Sequence, residues 1–273
     1  MSIDLSGGGN IGGKSFASLG LLLTKVNIPI LPDTRQVEEE LPGVDGTIDL
    51  ETRFGARPIE LTFELIEDFE IDFHIRLSEI AAAFNPLKGQ QILMLERNPG
   101  KQWKVKYNGS LPIDRLATIG TFTVPLKAFF PFAESVNPAD TELKLGEGLI
   151  IGMGYEISDT IPTFNIKSSP TTITVKNAGN HEARPVITLS GTGSGIKVTN
   201  KTTGESFSFN EPLSGGNLVI NTALYTAEHN SLNVFHLVLG DFPQLVEGNN
   251  VFIVTATNPS FTIDFDFRHT YLY

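Results

Sequence analysis

Apolar and polar side chains alternate every second residue through most of this sequence. Across residues 59–65 four large apolar side chains alternate with Glu60, Thr62 and Glu64, and the same pattern returns at 103–107 and 122–126. Successive side chains of a β-strand point to opposite faces, so each of these segments places one face in a core and the other in water. The sequence therefore predicts a mainly β protein.

One stretch departs from the alternation and is typical of an amphipathic helix. Its apolar residues recur at spacings of three and four, at Phe73, Leu77, Ile80, Ala81 and Phe84. Asp72 is a suitable N-cap, and Asn85-Pro86 ends the segment because the residue before proline avoids helical angles. We predict one helix over about 72–84, lying on a sheet.

A polar stretch at 131–148, containing Pro131, Pro138, Gly146 and Gly148, predicts a junction between two domains, 1–133 and 134–273. A second series of alternating strands follows the junction, with no helix between them. Its inward-facing residues are Ile173 and Val175; Ile187 and Leu189; Ile196 and Val198; Phe207 and Phe209; Phe235, Leu237 and Leu239; and Phe261, Ile263, Phe265 and Phe267. Strands at this spacing predict a two-sheet, jelly-roll-like β-sandwich.

The segment from about 30 to 58 carries little core-facing signal. It is polar and acidic, with three consecutive glutamates at 38–40, and then reads Leu41-Pro42-Gly43-Val44-Asp45-Gly46, where Asp45-Gly46 favours a tight turn. A long segment of this kind in a compact domain usually has a function. We predict a protruding hairpin whose residues Leu41, Pro42, Gly43, Val44, Asp45 and Gly46 contact a neighbouring copy.

Charge and composition exclude several classes of function. The net charge of −11 and the lack of any Lys/Arg cluster disfavour specific nucleic-acid binding and attachment to an anionic membrane. There is no cysteine, which excludes disulfides and thiolate chemistry. The apolar run at 19–23 is too short to span a bilayer, and the first 14 residues do not resemble a secretion signal, so we expect synthesis in a cytoplasm.

A literal phosphate-loop pattern occurs near the N-terminus, with Gly8, Gly13, Lys14 and Ser15 at the required spacing. In a nucleotide-binding protein this loop joins a buried strand to a helix, so that backbone N–H groups surround the phosphates. The flanking residues here provide neither a convincing strand nor a long helix. We interpret the segment as a flexible, glycine-rich N-terminal stretch.

Other chemistry-bearing residues are more simply explained as surface groups. The five histidines, at 74, 181, 229, 236 and 269, show no metal-ligand spacing, and alternation places His236 on the outward face of a strand. Asp264 and Asp266 share one strand face, as a glycosidase pair would, but alternation points both towards solvent. We predict no catalytic, cofactor-binding or metal-binding residues, and no enzyme activity.

Several segments, taken in their order along the chain, resemble the distal tail protein family of long-tailed, siphovirus-type phages. The resemblance covers nearly the whole sequence, although each motif is short. The residues that carry it are Phe16–Leu21, Leu41–Gly46, Arg57–Phe63, Gly120–Phe122, Phe129–Phe132, Val175–Asn180, Pro185–Ile187 with Gly191, and Phe242–Asn250. The family's Asp-Pro-Phe end is replaced by Phe130-Pro131-Phe132, without the Asp.

The resemblance implies an N-terminal β-sandwich with one α-helix and a protruding belt hairpin, and an outward-facing C-terminal sandwich that is galectin-like or carbohydrate-module-like. It implies a non-enzymatic structural protein whose copies close into a hexameric ring at the tail tip of the virion. That ring would line the DNA channel and join the tail tube protein to the tail-tip or tail-associated lysin and the receptor-binding or baseplate proteins.

Two other classes remain as alternatives. A carbohydrate-binding module or lectin that adheres to the host cell wall would need exposed aromatic platforms with convergent polar groups. The only Trp, Trp103, alternates as core, and the second half offers only Tyr155, Tyr225, Tyr271 and Tyr273. A glycosidase or nucleotide hydrolase ranks third, since its candidate residues lack the required context.

Overall fold

The computed structural model describes residues 4–43, 45–66, 70–116, 119–139 and 162–273. The chain divides into two compact units: unit 1 comprises Met1–Ala133 with Leu272–Tyr273, and unit 2 comprises Glu134–Tyr271. The protein is mainly β, as the alternation predicts. Of the residues named for the predicted junction, Gly146 and Gly148 lie outside the described residues.

The described residues of unit 1 form ten strands and one α-helix ahead of the segment Leu272–Tyr273. The strands are β1 Gly9–Ile11, β2 Lys14–Ser15, β3 Leu21–Asn27, β4 Thr34–Glu40, β5 Thr47–Phe54, β6 Arg57–Ile66, β7 Gln91–Leu95, β8 Lys101–Tyr107, β9 Asp114–Leu116 and β10 Ile119–Ala128. Helix α1 spans Glu70–Ala83, and short 3₁₀ turns occupy Ala17–Leu19 and Pro86–Lys88.

The main sheet of unit 1 has the strand order β2-β1-β7-β8-β10-β6-β3, and β9 pairs with β10. Leu23 of β3 donates its backbone N–H to the carbonyl of Gly7, just before β1, at 3.0 Å. Opposite ends of the strand order therefore meet, and the sheet curls on itself around one core. The Phe16–Leu21 segment contains the 3₁₀ turn Ala17–Leu19 and ends on the first residue of β3.

The alternation in strand β6 determines how that strand pairs with its neighbour. Ile59, Leu61, Phe63 and Leu65 are all fully buried. Antiparallel pairing with β10 places Phe122 opposite Phe63, with the two aromatic rings 5.9 Å apart. A one-residue slip in register would turn this whole apolar row towards water, so the row fixes the register of the strand pair.

Helix α1 matches the predicted amphipathic segment with shifted bounds. Phe73, Ile80 and Phe84 are buried, as expected, whereas Ala81 is exposed. The prediction of Asp72 as N-cap is wrong, because the helix begins two residues earlier, at Glu70. A carboxylate in the first turn of a helix is favourable through the helix dipole without being the cap.

Unit 2 contains the remaining strands. They are β11 Ala133–Ser135, which starts on the last residue of unit 1, then β12 Thr163–Ile166, β13 Thr171–Asn177, β14 Val186–Asn200, β15 Ser206–Phe209, β16 Leu213–Asn221, β17 Thr226–His229, β18 Leu232–Asn233, β19 Val238–Gly240, β20 Gly248–Asp266 and β21 Thr270–Tyr271. A 3₁₀ turn spans Phe235–Leu237.

Two long strands, β14 and β20, run through both layers of this sandwich. One layer has the order β12-β20-β14-β16-β17-β18, and the other is formed by β13, β20, β14, β15 and β19. The β14–β20 register shifts between Thr192 and Lys197, where the strands pass from one layer to the other. Residues from both halves of β14, among them Leu189 and Val198, are fully buried in one core. Unit 2 is thus the predicted galectin-like, jelly-roll-type sandwich.

The prediction of one strand in unit 2 is wrong, both in its conformation and in which side chains face the core. The segment 235–239 was expected to point Phe235, Leu237 and Leu239 inwards. Residues 235–237 form the 3₁₀ turn instead, Phe235 and Leu239 are exposed, and Val238 is the buried residue. His236 is exposed, as expected, but lies on this turn and not on a strand.

His269 is a half-buried titratable group of unit 2. Its Nδ1 accepts a hydrogen bond from the backbone N–H of Ala178 at 3.2 Å, and its ring lies 5.3 Å from that of Phe267. Burial, assisted by the nearby charge of Lys176, lowers the pKa of His269 to about 4. The imidazole is therefore neutral in the folded protein at pH 7.

We expect unit 2 to lose stability between pH 7 and pH 4.5 through His269. Because the folded pKa of about 4 lies below the unfolded value of about 6.5, the contribution is complete above pH 6.5 and is lost as pH falls towards 4. The expected loss in free energy of unfolding by pH 4.5 is on the order of 2–3 kcal/mol. Urea unfolding followed by circular dichroism at both pH values measures it.

The matched variant is His269→Asn, whose side-chain oxygen can still accept the Ala178 N–H bond. His181, whose pKa is also lowered by burial, titrates in both proteins, as do the carboxylates. The difference in pH dependence between wild type and variant therefore isolates His269. Identical pH dependence in the two proteins would contradict a half-buried, neutral His269.

Candidate assembly interface

The predicted hairpin is formed by β4 and β5. These strands pair with each other in antiparallel register, from Thr34 opposite Phe54 to Glu40 opposite Thr47. Within the described parts of the chain, neither pairs with any other strand. Every residue of both strands is exposed. The hairpin therefore projects from unit 1 with both of its edges available for pairing.

The tip of the hairpin carries the residues predicted to contact a neighbouring copy. Leu41, Pro42, Gly43, Asp45 and Gly46 lie in the turn between β4 and β5, while Val44 lies outside the described residues. Gly43 and Gly46 have φ angles of +84° and +94°, which suit glycine and few other residues. Contact of this tip with a neighbouring copy stays a prediction.

Strand β5 exposes two apolar side chains, Ile48 and Leu50, which are 46% and 57% exposed. A register shift leaves Leu50 as the extra residue of a bulge, so the alternation is interrupted there. Ile48, opposite Glu39, and Phe54, opposite Thr34, therefore lie on different faces of the hairpin. We call the exposed surface at Ile48 and Leu50 the apolar face.

An isolated two-stranded hairpin is at best marginally stable in water, and exposed strand edges readily pair with other chains. The apolar face adds a second reason for association, because burying exposed apolar surface is favourable. The arrangement suits packing against another protein surface. It offers no nucleophile and no acid–base pair facing a cleft, so what it can do chemically is bind.

The base of the hairpin is held by Arg57, which is fully buried. Its guanidinium donates to the backbone carbonyls of Pro131 at 2.6 Å and Pro29 at 2.7 Å, and also to those of Ile30 and Leu272. Pro29 and Ile30 begin the segment that leads into β4. One side chain thus ties the start of the hairpin to the end of unit 1 and to the C-terminal segment.

Burial lowers the pKa of the Arg57 guanidinium below its ordinary value, and the charge of Tyr273 partly opposes that shift. Arginine still remains charged at neutral pH, so its bonds are charge-assisted. The role of Arg57 was not predicted. A signal for it exists in the sequence, because Arg57 has the same parity as the inward-facing Ile59 and Leu61, where a charged residue needs partners.

Aromatic residues and a groove complete the hairpin base. The rings of Phe54 and Phe132 meet edge to face at 5.7 Å, so the end of β5 packs against the body of unit 1. A groove of about 270 Å³ lies beside them, with Arg35 and Lys127 among its lining residues. Asp33 also lines the groove, which leaves one net positive charge there. That charge favours an anionic occupant, and the hairpin itself carries the acidic run Glu38–Glu40.

The phosphate-loop pattern does not form a nucleotide site. Gly9–Ile11 and Lys14–Ser15 are the two strands of a tight hairpin, and its turn glycines, Gly12 and Gly13, both have positive φ. The N–H of Gly12 donates to Ile92 at 2.9 Å, and that of Gly13 donates to Asn10 at 3.0 Å. These donors are already used within the fold. The expectation of a flexible segment is also wrong, because β1 pairs with β7.

The other candidate groups lie apart from one another. Asp264 is on β20, where its carboxylate accepts a hydrogen bond from Thr163, and Asp266 is exposed at the end of the strand. In the described part of the chain, no group of three or more His, Asp or Glu side chains could hold a metal ion. No helix among the described residues has the length and apolar character needed to cross a membrane.

Two family models match the chain and together cover about three quarters of it. The phage tail protein RIFT-related domain matches residues 15–128, and the C-terminal domain of the siphovirus-type tail component matches residues 178–269. Both matches describe phage tails, and they follow each other in the expected order. The chain belongs to the distal tail protein family of long-tailed phages. It is therefore a structural component of a phage tail.

A solved structure shares the fold of this distal tail family member. The Dit protein (gp 19.1) of phage SPP1, described as a hub of the adsorption apparatus of phages that infect Gram-positive bacteria, is 15% identical, with 96% of this chain and 98% of that chain covered and a TM-score of 0.69. At that identity the likeness shows the fold alone. A chain of the phage p2 baseplate in its activated conformation is 9% identical over 89% of this chain and 90% of that one, with a TM-score of 0.40, and carries no argument. No curated protein matches the chain.

Proposed function

We propose that copies of this distal tail family member close into a hexameric ring at the tip of the phage tail. The observation that carries the proposal is the β4–β5 hairpin, which exposes an apolar face and two unpaired edges. A contact between two different patches, repeated from copy to copy with a suitable rotation, closes into a ring. The hairpin supplies one patch, and the body of the neighbouring unit 1 supplies the other.

Charge complementarity supports the same contact. The acidic run Glu38–Glu40 of one copy suits the groove lined by Arg35 and Lys127 of the next. Complementary charges of this kind direct association and suppress wrong partners more than they add affinity. In this proposal the segment 1–133 forms the ring, and the segment 134–273 faces outwards as a separate sandwich.

The ring joins the tail tube protein to the tail-associated lysin and to the receptor-binding or baseplate proteins, and DNA passes through its centre. The net charge of −11 suits such a channel, because a basic lumen would bind the phosphate backbone and hold the DNA. The role is mechanical, and the protein performs no catalytic step. Its work is to assemble and to connect.

Immunogold labelling of intact phage tests the placement. Antibodies raised against the purified chain are expected to label one position per tail, at the end distal to the capsid. Antibodies against the tail tube protein serve as the control and should label along the tail's length. Labelling along the whole tail, at the capsid-proximal end, or nowhere on the virion would contradict the proposal.

A further inference from the structure

Three aromatic side chains of unit 2 form an exposed cluster that the tail role does not use. The rings of Tyr225 and Phe242 meet at 5.4 Å, and Phe242 stacks on Phe235 at 5.9 Å with an interplanar angle of 8°. Tyr225 is 53% exposed and Phe235 is 48% exposed. We call these three residues the aromatic platform. They come from three separate loops of the same sandwich.

The turn that presents Tyr225 is strained and well anchored. Tyr225 has a φ of +55°, a conformation that bulky residues rarely adopt and that glycine or asparagine adopts readily. The side chain of Asn221 accepts the backbone N–H bonds of Ala223 and Leu224, and the buried Thr222 donates its hydroxyl to the carbonyl of Pro185 at 2.8 Å. A large apolar ring held outwards in such a turn points to a ligand.

Polar groups converge on the same edge of the platform. Arg184 donates to the Tyr225 hydroxyl at 2.7 Å, and its guanidinium lies 5.6 Å from the ring centroid. The other arm of Arg184 reaches the side-chain oxygen of Gln244 at 3.4 Å, and Glu182 lies 3.7 Å from Arg184. A guanidinium therefore contacts one exposed aromatic ring, and an amide and a carboxylate lie beside that guanidinium.

The backbone that carries these polar groups is fixed by the fold. Ala183 and Leu245 exchange two backbone hydrogen bonds of 2.9 and 2.8 Å, which sets Arg184 beside Gln244. The buried Asn200 donates to the Gln244 carbonyl at 2.9 Å. Such preorganisation lowers the conformational entropy that is lost when a ligand binds.

We propose that the aromatic platform, with Arg184, Gln244 and Glu182, binds a neutral saccharide. The apolar C–H face of a pyranose packs on an exposed aromatic ring, while planar polar groups at the ring's edge take its hydroxyls. The Glu182 carboxylate offsets the charge of Arg184, which favours hydroxyl groups over phosphate or carboxylate. The compact footprint suits a sugar better than a protein partner, which usually covers about 800 Å² per side.

The proposal is independent of the hexameric ring and revises one sequence-based expectation. Sugar binding was disfavoured because the second half of the chain has no Trp and few tyrosines. The platform is instead built from one tyrosine and two phenylalanines, brought together from positions 225, 235 and 242. Their proximity depends on the loops of the sandwich and leaves no local pattern in the sequence.

A glycan array of neutral hexose and N-acetylhexosamine oligosaccharides is the first test, followed by calorimetric titration of the full-length protein with the best saccharide. Saturable binding is expected. Tyr225→Gly should weaken it at least tenfold, because glycine accepts the positive φ and keeps the turn while the aromatic ring and its hydroxyl are lost. Arg184→Met should also weaken it at least tenfold, whereas Tyr225→Phe, which keeps the aromatic ring, should stay within a few-fold of wild type.

The matched control is Phe129→Ala, which removes a 53% exposed aromatic ring from unit 1 and should leave binding within twofold of wild type. Three outcomes would overturn the proposal. The first is no saturable binding at millimolar saccharide. The second is binding that Tyr225→Gly and Arg184→Met leave unchanged. The third is platform-dependent binding of another tail protein with none to saccharides.

Discussion

Replacing Arg57 with methionine is expected to lower the free energy of unfolding of unit 1 by about 3–5 kcal/mol. Methionine fills part of the volume but donates no hydrogen bond, so the carbonyls of Pro29, Ile30, Pro131 and Leu272 lose a shared partner. Buried carbonyls without partners are costly, and charge-assisted bonds are stronger than neutral ones. The base of the hairpin should loosen with them.

The measurement is guanidinium unfolding followed by tryptophan fluorescence. Trp103 is the only Trp of the chain and is fully buried in unit 1, so its emission reports unit 1 by itself. Circular dichroism reports both units together, and the transition of unit 2 should not move. Arg57→Lys should lie between wild type and Arg57→Met, since an ammonium group reaches fewer carbonyls than the guanidinium fork.

Arg53→Met is the matched control, because it makes the same substitution on the same hairpin. Arg53 is 75% exposed and, among the described residues, pairs with the exposed Glu51, so we expect a change below about 0.5 kcal/mol. If Arg57→Met cost no more than Arg53→Met, Arg57 would not be the group that holds the hairpin base.

The second large effect concerns assembly. The double variant Ile48→Asp/Leu50→Asp is expected to abolish self-association while leaving the unfolding of the single chain unchanged. Both side chains are exposed in the single chain, so the substitutions remove no buried contact within it. In the assembly the same positions would bury two carboxylates against a neighbouring copy, at a cost that no partner offsets. Sedimentation velocity over a range of protein concentrations measures the result.

A control of equal charge lies elsewhere on the same hairpin. Thr47→Asp/Arg35→Gln also makes the chain more negative by two charges, so it separates net charge from the loss of the apolar face. It is expected to keep assembly, although Arg35 lines the groove and some weakening should appear at low salt. If this control lost assembly and the Ile48→Asp/Leu50→Asp variant kept it, the apolar face would not be the contact.

The sequence predicts those parts of the fold that depend on local periodicity. The inward row of β6 with its partner on β10 and the helix near 72–84 both carry a pattern within a few consecutive residues. In each case burial of one face is decided by side chains two, three or four positions apart, and no distant contact is needed to recognise it.

Other features depend on distant contacts and escape such patterns. The glycine-rich stretch Gly191–Gly195 looks like a turn that separates two strands, yet β14 runs through it, because its register shifts let the strand pass from one layer to the other. The run Phe235–Leu239 predicts a strand with Phe235, Leu237 and Leu239 facing the core, and that prediction is wrong. There the 3₁₀ turn places Val238 in the core.

The same distinction applies to the functional sites. The hairpin could be found from the sequence because it lacks a core-facing signal, which is a local property. The partners of Arg57 could not, since they lie at residues 29, 30, 131 and 272. The aromatic platform is likewise assembled from positions 225, 235 and 242, whose rings meet only through the loops of the sandwich.

The central claim is that this distal tail protein works by assembling through its hairpin, and electron microscopy of the purified wild-type protein, reconstructed in three dimensions, tests it most directly. The account predicts a closed ring of six copies in which each apolar face, with Ile48 and Leu50, is buried against the neighbouring copy. Single chains at every concentration, both alone and with the tail tube protein added, would contradict it. So would a closed ring whose hairpins remain in solvent.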